Sequence, residues 1–193
     1  MAKKDLEMPS LEALEAAVKK TEYKQRYSRV LRSTIFSLVV VAAIAVLAAV
    51  FVFPVLQISG TSMTDSLDDG DVVVAFHSKQ FAPGDIVAFY YNNKILVKRI
   101  IACAGDWVDI DEDGNVTVND EPLDEPYVTE KALGECDIQL PYQVPDGKFF
   151  VMGDHRATSI DSRSTTVGCV GSDSMVGRIV LRLWPFSGIG TVR

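Results

Sequence analysis

Apolar residues along the chain follow two different rules. From Ser33 to Leu56 the sequence STIFSLVVVAAIAVLAAVFVFPVL runs without a single charge, and as a helix rising about 1.5 Å per residue it spans about 36 Å. That is enough to cross a bilayer core of about 30 Å. Beyond it the period shortens to that of strands: 71–76 (DVVVAF), 85–91 (DIVAFYY), 95–103 (ILVKRIIAC), 115–118 (NVTV), 148–152 (KFFVM) and 175–183 (MVGRIVLRL). Asp69-Gly70, Pro83-Gly84, Asn92-Asn93 and Asp113-Gly114 supply turn signals between them. No long helix, internal repeat or low-complexity tract is legible after residue 57. The acidic stretch from Asp109 to Glu135, with Pro122 and Pro126, reads as a hairpin followed by a long surface excursion. Upstream, Leu11, Leu14 and Val18 recur at helical spacing behind Ser10, a candidate cap, which predicts a short amphipathic lead-in.

Three parts follow: an N-terminal segment (1–32), a transmembrane helix (33–56) and a β-rich domain (57–193). A buried helix of a soluble domain would need its whole circumference covered, which 137 further residues can hardly supply. A cleavable leader fits poorly too. Some 32 residues precede the apolar run, the run is too long, and no small-x-small pattern follows Leu56. Lys19, Lys20, Lys24, Arg26, Arg29 and Arg32 crowd the N-terminal flank, so the positive-inside rule places that end in the cytoplasm and the β-rich domain outside it.

Charge sharpens the partition. Residues 1–32 carry a net +3 and residues 57–193 a net −10, within an overall −7. An acidic exterior domain is the opposite of a nucleic-acid footprint. Three cysteines and two histidines, widely scattered, do not make a zinc site. Cys136 and Cys169 lie in the exported part, where a disulfide is chemically permitted, while Cys103 reads as a small buried hydrophobe.

Three stretches could carry chemistry. In 95–103, strand alternation sets Lys98 beside Leu96 and Ile100, with Val97 and Arg99 on the other face. Desolvating its amine would lower its pKa from about 10.4 toward a range useful to a general base. An edge-strand lysine snorkelling into water is the competing reading. In SGTSMTDSL (59–67), glycine and small hydroxyl residues permit a tight turn that presents Ser62 and backbone amides, or else form a plain polar loop. In FFVMGDHRATSIDSR (149–163), Asp154, Arg156, Asp161 and Arg163 read as a salt-bridge network, with Ser159 placed to orient a neighbouring amine. The apolar LWPFSGIG (183–190) either touches lipid or packs on the core.

Together these stretches resemble the bacterial type I signal peptidases, membrane-bound serine proteases with a Ser/Lys dyad. The carrying residues are GTSM (60–63) with Leu67, GDIV (84–87), LVKRIIACAGD (96–106) and FVMGDHRATSIDSR (150–163), in that order behind an N-in anchor. The resemblance implies a twisted antiparallel β-sheet, barrel-like, of the signal peptidase and LexA-like type. It implies Ser62 as nucleophile, Lys98 as general base and Ser159 as orienter of the amine, with Arg99, Asp154, Asp161 and Arg163 as supports. The Ser62 amide is expected to donate to the oxyanion. Gly60 stands where some relatives add a hydroxyl donor. Ile58, Gly60, Met63, Leu67 and Val97 are expected along the substrate pockets. Implied partners are exported preproteins with small residues at the first and third positions before the cut, and the lipid bilayer; no cofactor or nucleic acid is implied.

Three positions depart from the family pattern: Asp65 replaces the usual proline, Ser66 the usual threonine and His155 the usual asparagine. His155 raises a rival, a Ser-His-Asp hydrolase. Two further readings compete with the peptidase. One is a tethered β domain that binds exported peptides without cutting them, and the second is a soluble self-cleaving repressor with the same dyad.

Overall fold

The computed structural model describes residues 10–192. Helix α1 (Leu11–Val52) contains no glycine or proline, and nothing in its 42 residues interrupts the backbone ladder. The amphipathic lead-in and the apolar span predicted separately are therefore one continuous helix. It ends at Val52 and not at Leu56, because Pro54 lacks the N–H needed to continue it. Residues Leu14–Val52 are long and apolar enough to cross a membrane, and none of the most apolar window is buried by protein. The chain divides into two compact units, one made of the helix up to Ala49 and the other from Val50 onward.

The second unit is built from antiparallel pairs: β1 (Val55–Gln57), β2 (Val72–Phe76), β3 (Ile86–Tyr91), β4 (Lys94–Cys103), β5 (Trp107–Ile110), β6 (Val116–Val118), β7 (Glu121–Pro122), β8 (Tyr142–Gln143), β9 (Lys148–Met152), β10 (Val170–Gly171), β11 (Met175–Trp184) and β12 (Gly190–Thr191). One sheet runs β1-β2-β11-β3-β4-β9-β10, with β12 also on β11, and a smaller sheet runs β7-β6-β5-β8. Beyond α1 the only helical pieces among the described residues are two 3-10 turns, 172–174 and 186–188. The mostly β reading holds, and all six predicted strands form.

Strand alternation fills three apolar clusters. Ile58, Met63, Leu67, Val73, Ala75, Ile86, Ala88 and Ile179 make the first, with Val97 against it. Leu96 and Ile100 belong to a different one, as alternation along β4 requires. A third lies between the two sheets' residues, around Val108, Ile110, Phe150 and Met152. LWPFSGIG does not pack into the core: Trp184, Phe186 and Ile189 are exposed, and the two rings stack edge-to-face at 4.7 Å. All three cysteines are free, and Cys103 is half-buried rather than buried.

Candidate active site

The loop between β1 and β2 is tied to itself before it is tied to anything else. Ile58 N donates to Asp71 O at 2.8 Å, Gly70 N to Ile58 O at 3.0 Å, and Gly60 N to the Asp69 carboxylate at 2.7 Å. Gly60 sits at φ +96°, a conformation that glycine adopts without steric cost. The chain then makes one short helical turn, with Leu67 N on Met63 O at 2.8 Å. Met63 and Leu67 sink into the core and leave half-buried Ser62 at the turn's outer face. The Ser62 amide has no acceptor among the described residues, and its carbonyl accepts from His155 N at 3.1 Å.

Lys98 comes from the middle of β4, with only 4% of its surface exposed. Its Nζ and Ser62 Oγ share a hydrogen bond of 2.6 Å. Burial lowers the amine's pKa from 10.5 to about 8; Asp161 and Asp154 pull the other way, and Arg163 adds to the lowering. About one amine in ten is then neutral at pH 7, several hundredfold more than for a free lysine. The snorkelling reading therefore does not apply.

Three buried ion pairs frame this bond. Arg99 Nε and Nη2 grip both Asp154 oxygens at 2.9 and 2.7 Å, and the same guanidinium donates to Gly84 O and Ser66 Oγ. Arg163 grips Asp161 at 2.9 Å through two nitrogens and reaches Leu133 O at 2.6 Å. Burial alone would raise the Asp161 carboxyl, but bonding to Arg163 and its charge hold it below the ordinary value. Arg156 pairs with Glu125, both fully buried as side chains. Removing one partner of such a pair leaves an uncompensated buried charge, which costs about 3–5 kcal/mol.

The structure brings most of the sequence-predicted residues together, with differences. Ile58, Gly60, Met63 and Val97 line a cleft of about 200 Å³ beside Ser62 and Lys98, together with Leu56, Gln57, Ser59, Ile95 and Leu96. Leu67 is not on the cleft but fully buried behind the turn. Ser159 does not bond the lysine amine. Its buried Oγ lies near enough to Asp161 to favour that carboxylate's charge, yet closes no hydrogen bond of ordinary geometry. The His155 ring bonds neither Ser62 nor an aspartate, and its Nδ1 is buried without a partner. Position 155 reaches the Ser62 carbonyl through its backbone N–H, which any residue but proline supplies.

Sequence reasoning missed several contributors. Gly153 packs so closely that a Cβ there would lie 2.5 Å from Ser62 O and closer still to Ser159 Oγ. Arg182 donates to Ser66 O at 2.5 Å and pairs with Asp71 at 3.1 Å, holding the far side of the turn. Glu125, Tyr127 and Thr129 come from the acidic excursion. Among the described residues no group of His, Cys, Asp or Glu is placed to hold a metal ion.

Comparisons with known proteins bear on this arrangement. A family model described as Signal peptidase, peptidase S26 matches residues 31–184. Signal peptidase I of Bacillus licheniformis is 31% identical over 79% of this chain and 88% of its own length. Signal peptidase IB of Staphylococcus aureus is 32% identical over 79% of this chain and 89% of its own length. The chloroplastic thylakoidal processing peptidase 1 of Arabidopsis thaliana is 37% identical over 69% of this chain, a match that spans 42% of that longer protein. A solved signal peptidase I from Enterococcus faecalis V583 aligns with a TM-score of 0.42 and 28% identity, over 51% of this chain and 96% of that one.

Proposed function

The chain belongs to the signal peptidase family S26 of serine endopeptidases, and from that premise we propose that it removes signal peptides from exported preproteins with Ser62 as nucleophile and Lys98 as base. The observation that carries this reading is the 2.6 Å bond between Ser62 Oγ and an amine that burial brings to a pKa of about 8. Neutral Lys98 accepts the Ser62 proton as Oγ attacks the scissile carbonyl. The free Ser62 amide is placed to donate to the oxyanion, and such a donor is worth about 10²–10³ in rate. The Lys98 ammonium then protonates the leaving amide nitrogen. The neutral amine regenerated by that step takes a proton from the water that cleaves the acyl-enzyme. No metal or organic cofactor enters any step. Arg99, Asp154, Asp161 and Arg163 hold the two reacting groups in register, and Ser159 packs beside them.

An extended substrate has a strand edge to join. On one side β4 pairs with β3 from Lys94 to Arg99, but its pairing with β9 begins only at Arg99. The backbone of residues 94–98 thus offers free donors and acceptors along the cleft, a mode in which main-chain bonds give affinity and alternate side chains enter pockets. Ile58, Gly60, Met63 and Val97 bound those pockets, and their small volume suits small residues at the first and third positions before the cut. Leu67 acts behind them, as the support on which Met63 rests. Helix α1 anchors the enzyme in the cell membrane, with its basic N-terminal flank cytoplasmic and the β-rich domain outside.

Incubating detergent-solubilised protein with a preprotein tests the reading. Release of mature protein by the wild type, and none by Ser62→Ala or Lys98→Ala, is the expected result. Cleavage that survives Lys98→Ala and disappears in His155→Ala would replace the dyad by the histidine mechanism. Binding without cleavage would make the chain a peptide-binding module.

A further inference from the structure

The excursion between β7 and β8 has almost no strand pairing of its own, yet it touches every buried arginine around the dyad. The Tyr127 ring lies 3.8 Å from the Arg99 guanidinium, face on. Glu125 neutralises Arg156, and Ala132 and Leu133 give their carbonyls to Arg163. Packing is close at its end: a Cβ on Gly134 would lie 2.6 Å from Arg156 O. Thr129 Oγ1 also donates to the carboxylate of Asp65, three residues past Ser62.

Asp65 carries φ +86°, which a non-glycine residue holds only at a cost of about 1–3 kcal/mol and which proline cannot adopt at all. Something must hold the turn there, and the Thr129 bond meets its side chain directly. Arg99, meanwhile, follows Lys98 in β4 and donates to Ser66 Oγ at 3.0 Å. One short piece of chain thus grips the residue after the base through Tyr127 and the turn after the nucleophile through Thr129.

Building on the dyad reading above, we propose that residues 125–133 form a positioning strap, in which Tyr127 and Thr129 fix the distance between Ser62 and Lys98. Neither side chain touches substrate; both act through Arg99 and Asp65. Covering the guanidinium with an aromatic face keeps water from its bonds to Ser66 and Asp154, and the Thr129 bond keeps the nucleophile turn from relaxing out of its strained conformation.

The test is a steady-state comparison of Thr129→Val and Tyr127→Leu with Thr129→Ser and Tyr127→Phe, on a preprotein substrate, with thermal unfolding followed in parallel. Displacing reacting groups by a fraction of an ångström to one ångström costs about ten- to a hundredfold, so Thr129→Val and Tyr127→Leu should lower kcat at least about tenfold with KM changed less than about twofold. The serine and phenylalanine variants keep the hydroxyl and the ring face and should return to near wild-type kcat. Asp65→Ala should match Thr129→Val, and the double variant should be no worse than either alone. Wild-type kcat in Thr129→Val, a loss confined to KM, or additive effects at 65 and 129 would overturn the strap. If Tyr127→Leu does not fold, the exposed Asp65 and Thr129 pair decides alone. Lys98→Ala belongs in the same series: inactive Lys98→Ala beside fully active Thr129→Val removes the strap and leaves the dyad standing, whereas active Lys98→Ala removes both.

Discussion

The two units of this chain invert each other. In the helix, large apolar residues such as Phe36, Leu38, Val41, Ile44 and Leu47 face outward along its whole apolar half. In the β unit, charge goes inward: Lys98, Arg99, Arg156, Arg163, Asp154, Asp161 and Glu125 are all buried. Each arrangement is costly in water. A lipid core favours the first. The second is tolerated because every arginine among these is met by a carboxylate and by further acceptors, while the one lysine is met by a hydroxyl and loses part of its charge. The β unit therefore devotes its interior to electrostatics that a stability-driven core would avoid.

The inversion can be broken in order of expected effect. Removing either half of the proposed dyad acts first on chemistry: Ser62→Ala and Lys98→Ala should each lower kcat/KM by at least about 10³-fold, measured on a preprotein, with the fold intact by circular dichroism. Breaking a buried pair acts on stability. Arg163→Met strands Asp161 and should destabilise the β unit by about 3–5 kcal/mol in denaturant titration.

Lys98→Met should separate function from stability. The amine's pKa lies below its ordinary value of 10.5, so the unfolded chain binds the proton more tightly between pH 10.5 and about 8. Stability falls as pH drops through that window, and below about 8 the penalty is complete, at about 3 kcal/mol. Lys98→Met should accordingly be inactive and, at pH 7, at least as stable as the wild type by thermal melt. A lower Tm in Lys98→Met would show that the lysine supports the fold instead of weakening it. The smallest effect belongs to the other unit: Leu47→Ala in detergent should leave β-unit stability within about 0.5 kcal/mol and cleavage unchanged.

Where the sequence was legible, a single physical pattern covered enough residues to be seen. Six strands showed through alternation or apolar runs, and the helix through its uncharged run. The elements not foreseen are short. β1, β7, β8, β10 and β12 have two or three residues, too few for a period, and β5 hides between acidic neighbours with Asp109 inside it. Continuity of α1 was obscured because its charged first half and apolar second half have different patterns, although the absence of glycine and proline allowed it. At the site, Ser62 and Lys98 were legible because they stand in ordered motifs. Glu125, Tyr127 and Thr129 were not, since their partners lie 31, 28 and 64 residues away and an acidic run reads as a solvated face. His155 is the converse case: its identity raised a rival base, whereas its backbone is what reaches Ser62.

Both the proposed chemistry and the strap require that Lys98 be the base and be substantially neutral near physiological pH. The pH dependence of kcat/KM between pH 6 and 10 reports the ionisation of the free enzyme's essential groups. A lysine base predicts a rate that rises with unit slope and levels off at an apparent pKa of about 8, in wild type and in His155→Ala alike. A midpoint that vanishes in His155→Ala, or one that stays near 10.5, would contradict it.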